Sequence, residues 1–284
     1  MHGSVHYSTY DVVELDDPAE GVRRITLNRP DKRNALNHPL RGQLLQALRE
    51  GDADPDVRVQ IIRGAGSSFS SGYELGGGNA DHAMPFYTAE GEGEWPRHVT
   101  EGWMSIWDLA KPVIAQVHGY CLAGGSELAT CCDLVYMATD AQMGYPAVRF
   151  GVPDMHFHAW FIGPRKAMEM MLTGDSISGT EAVELGWANA AFLPDELEAQ
   201  VLTVAKRIAK MPPDIVRLNK RIVHRGMEVM GLRTAIRVGT ELCALGTHQK
   251  SLHEFVRRTR EDGLKAALDE RDGTFGDYRT QKPD

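Results

Sequence analysis

Cysteine is scarce in this 284-residue chain: four residues, at positions 121, 131, 132 and 243. The adjacent Cys131-Cys132 pair has neither the spacing of a zinc site nor the pattern of a secreted disulfide framework, so buried free thiols are expected. Aromatic residues make up 7% of the chain, which gives no hint of a stacking surface for nucleic-acid bases. Basic residues are outnumbered and scattered, with a formal net charge of -8. That balance argues against a nucleic-acid partner and leaves room for a local site binding one phosphorylated ligand. No apolar run approaches the roughly 20 residues that cross a bilayer, so no membrane partner is expected. The stretch from Met1 to His6 lacks the basic-then-apolar order of a secretory signal, and a cytoplasmic location is expected.

The length suits one substantial core with an extension. Val22 to Leu27 is a β-rich run that stops at Asn28-Arg29-Pro30-Asp31, where Pro and Asp favour a turn. Leu40, Leu44, Leu45 and Leu48 then fall at helical spacing, and Val59 to Ile62 reads as a buried strand. Residues 64 to 83 form a Gly- and Ser-rich loop whose backbone can approach a ligand closely. A helix over 96 to 109 and a strand over 112 to 117 follow, and Gly119 to Gly125 turns that strand into a helix carrying Glu127. Leu134 to Met137 reads as a strand, residues 160 to 172 as a helix, and Ser178 to Glu181 as a capped helix start. After a short strand at 191 to 193 the chain is helical to about residue 270. Repeated strand and helix units followed by an all-helical end predict an α/β core over residues 1–195 and a helical C-terminal region and tail over 196–284.

Four segments carry a family resemblance: Asn28 to Leu36 (NRPDKRNAL), Phe69 to Leu75 (FSSGYEL), Gly119 to Ala129 (GYCLAGGSELA) and Met168 to Asp175 (MEMMLTGD). In order and spacing they resemble the crotonase superfamily of enoyl-CoA hydratases and isomerases. The resemblance implies a crotonase, ClpP-like fold of repeated ββα units, a homotrimer or a dimer of trimers, and an acyl-CoA thioester substrate. CoA enters as part of that substrate, and neither a separate cofactor nor a metal is implied. The matching CoA-site positions are Lys32, Arg33, Ala35, Ser71, Tyr73, Glu74 and Leu75. The backbone N–H groups of Tyr73 and Gly124 match the family's oxyanion hole, which stabilises the negative charge that grows on the thioester oxygen as an enolate forms. Because backbone does this, the side chain at 73 is free to vary.

Hydration of an α,β-unsaturated thioester needs a group that activates water and a proton source for the α-carbon. In the resembling hydratases two glutamates share that work. Glu127 matches the first, whereas the second position, within Gly144-Tyr145-Pro146-Ala147, holds Ala147. Asp154, where ordinary hydratases have glycine, is the candidate replacement, and Glu127 with Asp154 is the expected carboxylate pair. Asp154 also suits a cap for the helix after Pro153, a role of equal standing. Tyr145, Ala147, Phe150 and His156 are the expected acyl pocket. The pair His156 and His158 has no third metal ligand, and each is read as a pocket residue or as bonded to local backbone. Glu74 is read either as facing the acyl group or as solvated. In the tail, Lys265 or Arg271 is a candidate for CoA phosphate, with subunit packing the stronger reading. The favoured activity is an enoyl-CoA hydratase, a lyase. An isomerase, an acyl-CoA hydrolase and a catalytically decayed acyl-CoA binder remain open.

Overall fold

The computed structural model describes residues 6–75, 82–86, 88–155 and 157–278. Its strands in chain order are β1 (Val13–Ala19), β2 (Val22–Leu27), β3 (Val59–Gly64), β4 (Val113–Val117), β5 (Tyr120–Leu122), β6 (Leu134–Ala138), β7 (Gln142–Gly144), β8 (Ser176–Ser178) and β9 (Ala190–Phe192). The helices are α1 (His38–Ala53), α2 (Glu94–Asp108), α3 (Gly124–Thr130), α4 (His158–Thr173), α5 (Gly179–Glu184), α6 (Leu197–Ala209), α7 (Pro213–Val229), α8 (Leu232–Gly246), α9 (Lys250–Glu261) and α10 (Leu264–Gly273).

Six strands form the main sheet in the order β1-β2-β3-β4-β6-β9. The β1-β2 hairpin is antiparallel and every later pair in this sheet is parallel. Central parallel strands are covered on both faces, and β4 accordingly has all five residues buried. A second sheet, β5-β7-β8, is separate from the first, and only two residues lie between the end of β4 and the start of β5. Helix α1 starts where the Asn37 side chain accepts the Leu40 N–H at 2.9 Å, and it buries Leu40, Leu44, Leu45 and Leu48 against the sheet. Ser178 and Glu181 form a full capping box at the start of α5.

From α6 onward the chain is helical. Among the described residues no helix is long and apolar enough to cross a membrane, and the four cysteines are buried free thiols. Helix α4 is kinked at Gly163-Pro164 and begins at His158, four residues beyond Asp154. Phe157 is its N-cap and no side chain caps it, so the helix-capping role considered for Asp154 is not the one it plays. Met155 and Phe157 belong to the hydrophobic core, and Trp160 and Phe161 pack against it.

Candidate active site

Two loops and the start of α3 are held together by short stretches of sheet-like pairing. The loop at 28 to 36 folds on Asn34, which is fully buried: its Nδ2 donates to Ala65 O at 2.9 Å and Ser68 O at 2.8 Å, and its Oδ1 accepts from Arg29 N at 2.9 Å. Asn34 has φ 53°, a left-handed conformation that asparagine tolerates better than most residues. The loop at 70 to 74 is pinned on both sides. Leu36 N donates to Gly72 O at 2.8 Å, and Leu122 N donates to Ser70 O at 3.0 Å.

This pinning brings Tyr73 beside Gly124. Gly72 (φ +94°) lies so close to the next segment that a Cβ there would sit 2.7 Å from Leu122 O and 3.3 Å from Gly124 N. A Cβ on Gly124 would meet the Tyr73 ring at 2.5 Å. Ala123, immediately before, has φ 48° and ψ -118°, a strained turn for a non-glycine residue that re-aims the chain into α3. Gly124 is the first residue of α3, so its N–H has no intrahelical acceptor, and among the described residues neither it nor the Tyr73 N–H has a backbone partner. Two N–H donors are thus presented by adjacent segments.

Behind Tyr73 lies Glu127, which is fully buried. The Tyr73 hydroxyl donates to Glu127 Oε2 and itself accepts the Trp103 indole N–H at 2.9 Å. Among the described residues the buried Glu127 Oε1 has no hydrogen bond of good geometry, although the Tyr145 side chain lies near enough to help hold the carboxyl down. Burial raises the Glu127 carboxyl from 4.5 to about 7; the Tyr73 hydrogen bond opposes that rise and the charge of Asp154 adds to it. Asp154 accepts from His158 Nδ1 at 2.8 Å, which leaves His158 Nε2 3.5 Å from Ser126 Oγ. His158 is therefore bonded to a carboxylate rather than to local backbone, and among the described residues no group of three metal-binding side chains occurs.

A cavity of about 460 Å³ opens in front of Tyr73. All seven expected CoA-site residues, Lys32, Arg33, Ala35, Ser71, Tyr73, Glu74 and Leu75, line it, as do Tyr145, Ala147 and Phe150 of the expected acyl pocket. His156 lies outside the described residues. Glu127 and Asp154 are not among the lining residues; the Tyr73 ring lines the cavity and its hydroxyl reaches Glu127. The expected carboxylate pair is therefore coupled in charge but does not face the cavity side by side.

Glu74 lines the cavity and is largely buried rather than solvated, ion-paired with Arg29 at 3.1 Å. Arg271 lines the cavity but forms a two-pronged pair with Asp272 at 2.7 and 2.8 Å, and Lys265 is not a lining residue. The tail covers the cavity of its own chain, through Leu264, Leu268, Arg271, Asp272 and Tyr278. Sequence reasoning missed Arg41, Trp95 and Trp103. The signal available for Arg41 was an arginine on the face of α1 that also carries Leu44 and Leu45.

Comparison with known proteins agrees with this geometry. The family model described as Enoyl-CoA hydratase/isomerase matches residues 17–276. The chain is 37% identical over 225 residues to the mitochondrial enoyl-CoA hydratase domain-containing protein 3 of Danio rerio, covering 75% of this chain and 73% of that protein. Among solved structures, an enoyl-CoA hydratase/isomerase from Xanthobacter autotrophicus Py2 superposes with a TM-score of 0.85 at 35% identity, covering 94% of this chain and 99% of that one. An enoyl-CoA hydratase from Mycobacterium smegmatis gives 0.87 at 30% identity, covering 96% and 97%. With its fold matched over nearly its whole length and the family's loops gathered around one cavity, the chain belongs to the crotonase superfamily of enoyl-CoA hydratases and isomerases, as an acyl-CoA enzyme.

Proposed function

We propose that this protein hydrates a 2-enoyl-CoA thioester, with Glu127 as the group that moves the proton. The observation that carries this reading is the buried Glu127 carboxylate, with Oε2 held by Tyr73 and Oε1 facing at most the Tyr145 side chain, next to two backbone N–H groups that have no backbone partner among the described residues. Exposed Lys32 and Arg33 flank the cavity mouth and suit the CoA end of the ligand. The thioester oxygen sits between the N–H groups of Tyr73 and Gly124, each worth roughly 3 kcal/mol to a developing oxyanion. Glu127 stands behind the Tyr73 ring, so substrate binding must displace that ring before Glu127 Oε1 takes a proton from water as the hydroxyl adds to the β-carbon. The same carboxyl then returns that proton to the α-carbon, so the net addition is one water. One carboxylate suffices in this scheme, consistent with the methyl group of Ala147 in the cavity wall.

Asp154 acts through charge. It lies behind the cavity wall, bonded to His158, and holds the Glu127 carboxyl up. Asp154→Asn is expected to move the rising limb of the pH profile of kcat/KM to lower pH while the plateau rate stays within about tenfold. Tyr73→Phe removes a hydrogen bond that holds the Glu127 carboxyl down, and the limb should move to higher pH. A plateau loss of about 10²- to 10⁴-fold in Asp154→Asn would instead make Asp154 a direct acid or base.

The deciding assay follows the conjugated thioester absorbance. Loss of absorbance from crotonyl-CoA, with formation of the 3-hydroxyacyl product, is expected. A gain of absorbance from a 3-enoyl-CoA with no loss from crotonyl-CoA would make the protein an isomerase, which uses the same carboxylate without water. Leu218, Ile222, Val223, Val229, Met230, Leu242 and Leu245 on and beside α7 and α8 are exposed apolar side chains, which supports self-association through this region. Sedimentation should give a trimer or a multiple of it; a monomer at micromolar concentration would remove that part of the reading.

A further inference from the structure

The scheme above leaves one buried charge unused. Arg41 is only 1% exposed, yet it is a lining residue of the cavity. Lys32 and Arg33, by contrast, are exposed, so Arg41 is an interior cation rather than part of the basic mouth. Its Nη1 donates to His98 Nε2 at 2.8 Å, and His98 Nδ1 donates to Trp95 O at 2.8 Å. Burial and the neighbouring Arg41 charge hold His98 down to about 3, so it is a neutral acceptor and compensates no charge. Burial also lowers Arg41, to about 10, against the opposing pull of Tyr73, Glu127 and Tyr7, which leaves it charged near neutrality with Glu127 acting on it only through space.

Among the described residues the other two donor nitrogens, Nε and Nη2, are buried with no hydrogen-bond partner. The Tyr73 and Trp103 rings lie 5.8 and 5.4 Å from the guanidinium carbon. Such rings attract a cation, but they do not replace the acceptors that its planar fork of N–H groups requires. Tyr73 also touches Glu127, and Trp103 donates to the Tyr73 hydroxyl, so the Arg41 guanidinium packs on the same two rings that hold Glu127. A purely hydrocarbon acyl chain laid there would keep two buried donors unsatisfied, an arrangement proteins rarely retain. Nε and Nη2 are adjacent donors, and one carboxylate accepts from both at once.

Resting on the acyl-CoA reading of this cavity, we infer that Arg41 recognises a carboxylate on the acyl group. The preferred substrates are then enoyl-CoA thioesters whose acyl chain carries a second, free carboxylate, rather than simple fatty acyl chains.

The test is calorimetric titration of the full-length protein with two saturated, unreactive thioesters, glutaryl-CoA and butyryl-CoA. Wild type should bind glutaryl-CoA at least about tenfold more tightly, the scale of a charge-assisted hydrogen-bonded pair. Arg41→Met should bring the two affinities to within about twofold of each other, and Arg41→Lys should keep part of the preference. Equal affinities in wild type overturn the assignment, and that comparison stands even if Arg41→Met fails to fold. A glutaryl preference that survives in a folded Arg41→Met overturns it as well. If neither thioester binds, the acyl-CoA reading fails and this inference with it, whereas butyryl-CoA binding without discrimination removes the carboxylate assignment alone.

Discussion

Glu127→Gln should lower kcat for crotonyl-CoA hydration by about 10²- to 10⁴-fold and leave affinity for saturated butyryl-CoA nearly unchanged. The amide keeps the size of the carboxyl and still offers an oxygen to the Tyr73 hydroxyl, so the packing around this fully buried position is preserved. What it loses is the ability to take a proton from water. The wild-type pH profile should report the same group. Because burial raises the Glu127 carboxyl to about 7, kcat/KM should rise about tenfold per pH unit below that value and level off above it. Stability runs the other way. A carboxyl raised from 4.5 to about 7 on folding contributes stability that is fully present below 4.5 and is lost as pH rises through about 7. The span corresponds to about 3 kcal/mol. Glu127→Gln should therefore flatten the fall in melting temperature over this window as well as slow turnover. Wild-type rates in Glu127→Gln would sink the assignment, and would return attention to the Asp154 and His158 pair as the proton-transfer group.

Much of this site was readable because it is local in sequence. The loop from Asn28 to Leu36 and the run from Gly119 to Ala129 each carry their own turn chemistry, with Asn34 in a left-handed conformation and Gly124 where no side chain fits. The central strands were readable for a related reason. A parallel strand buried on both faces is a continuous apolar run, as in Val113 to Val117. The strands β5, β7 and β8 have only three residues each, too few for any periodicity to register. The role of Asp154 depends on where α4 begins, and a boundary shift of a few residues turns a cap into a partner for His158. The Tyr73 side chain was taken as free to vary because its backbone does the binding. Its hydroxyl turns out to tie Glu127 to Trp103, a contact between α2 and α3 that nothing in the sequence near residue 73 specifies. Arg41 was hidden in the same way: its neighbours Tyr73, His98 and Trp103 come from distant segments, and only tertiary packing joins them.

Arg149→Met should release the C-terminal tail and destabilise the protein by about 1–3 kcal/mol, since of the three carboxylates it leaves behind only Asp272 is buried and that one keeps Arg271. The Arg149 side chain is 2% exposed and gathers three carboxylates: Asp175 at 2.8 Å, Asp277 at 2.6 Å and Asp272 at 3.6 Å. Its Nε also donates to Thr173 O at 2.9 Å, and the Phe275 ring lies 3.9 Å from its guanidinium carbon. Methionine fills much of the same volume but satisfies none of these groups, and Asp272, with a side chain only 2% exposed, keeps Arg271 as its remaining partner. Two of the three carboxylates belong to the tail, and Tyr278, beside them, donates to Gly174 O at 2.9 Å. The tail is thus fastened to its own chain at one buried cation. It also forms one side of the cavity, so its release should weaken acyl-CoA binding without altering the pH at which Glu127 titrates. Amide hydrogen exchange should show new exposure confined to residues from about 264 onward, together with a raised KM and an unchanged rising limb. A variant with wild-type exchange in α10 and wild-type KM would mean that the tail is held in place by its other contacts and that Arg149 is not its anchor.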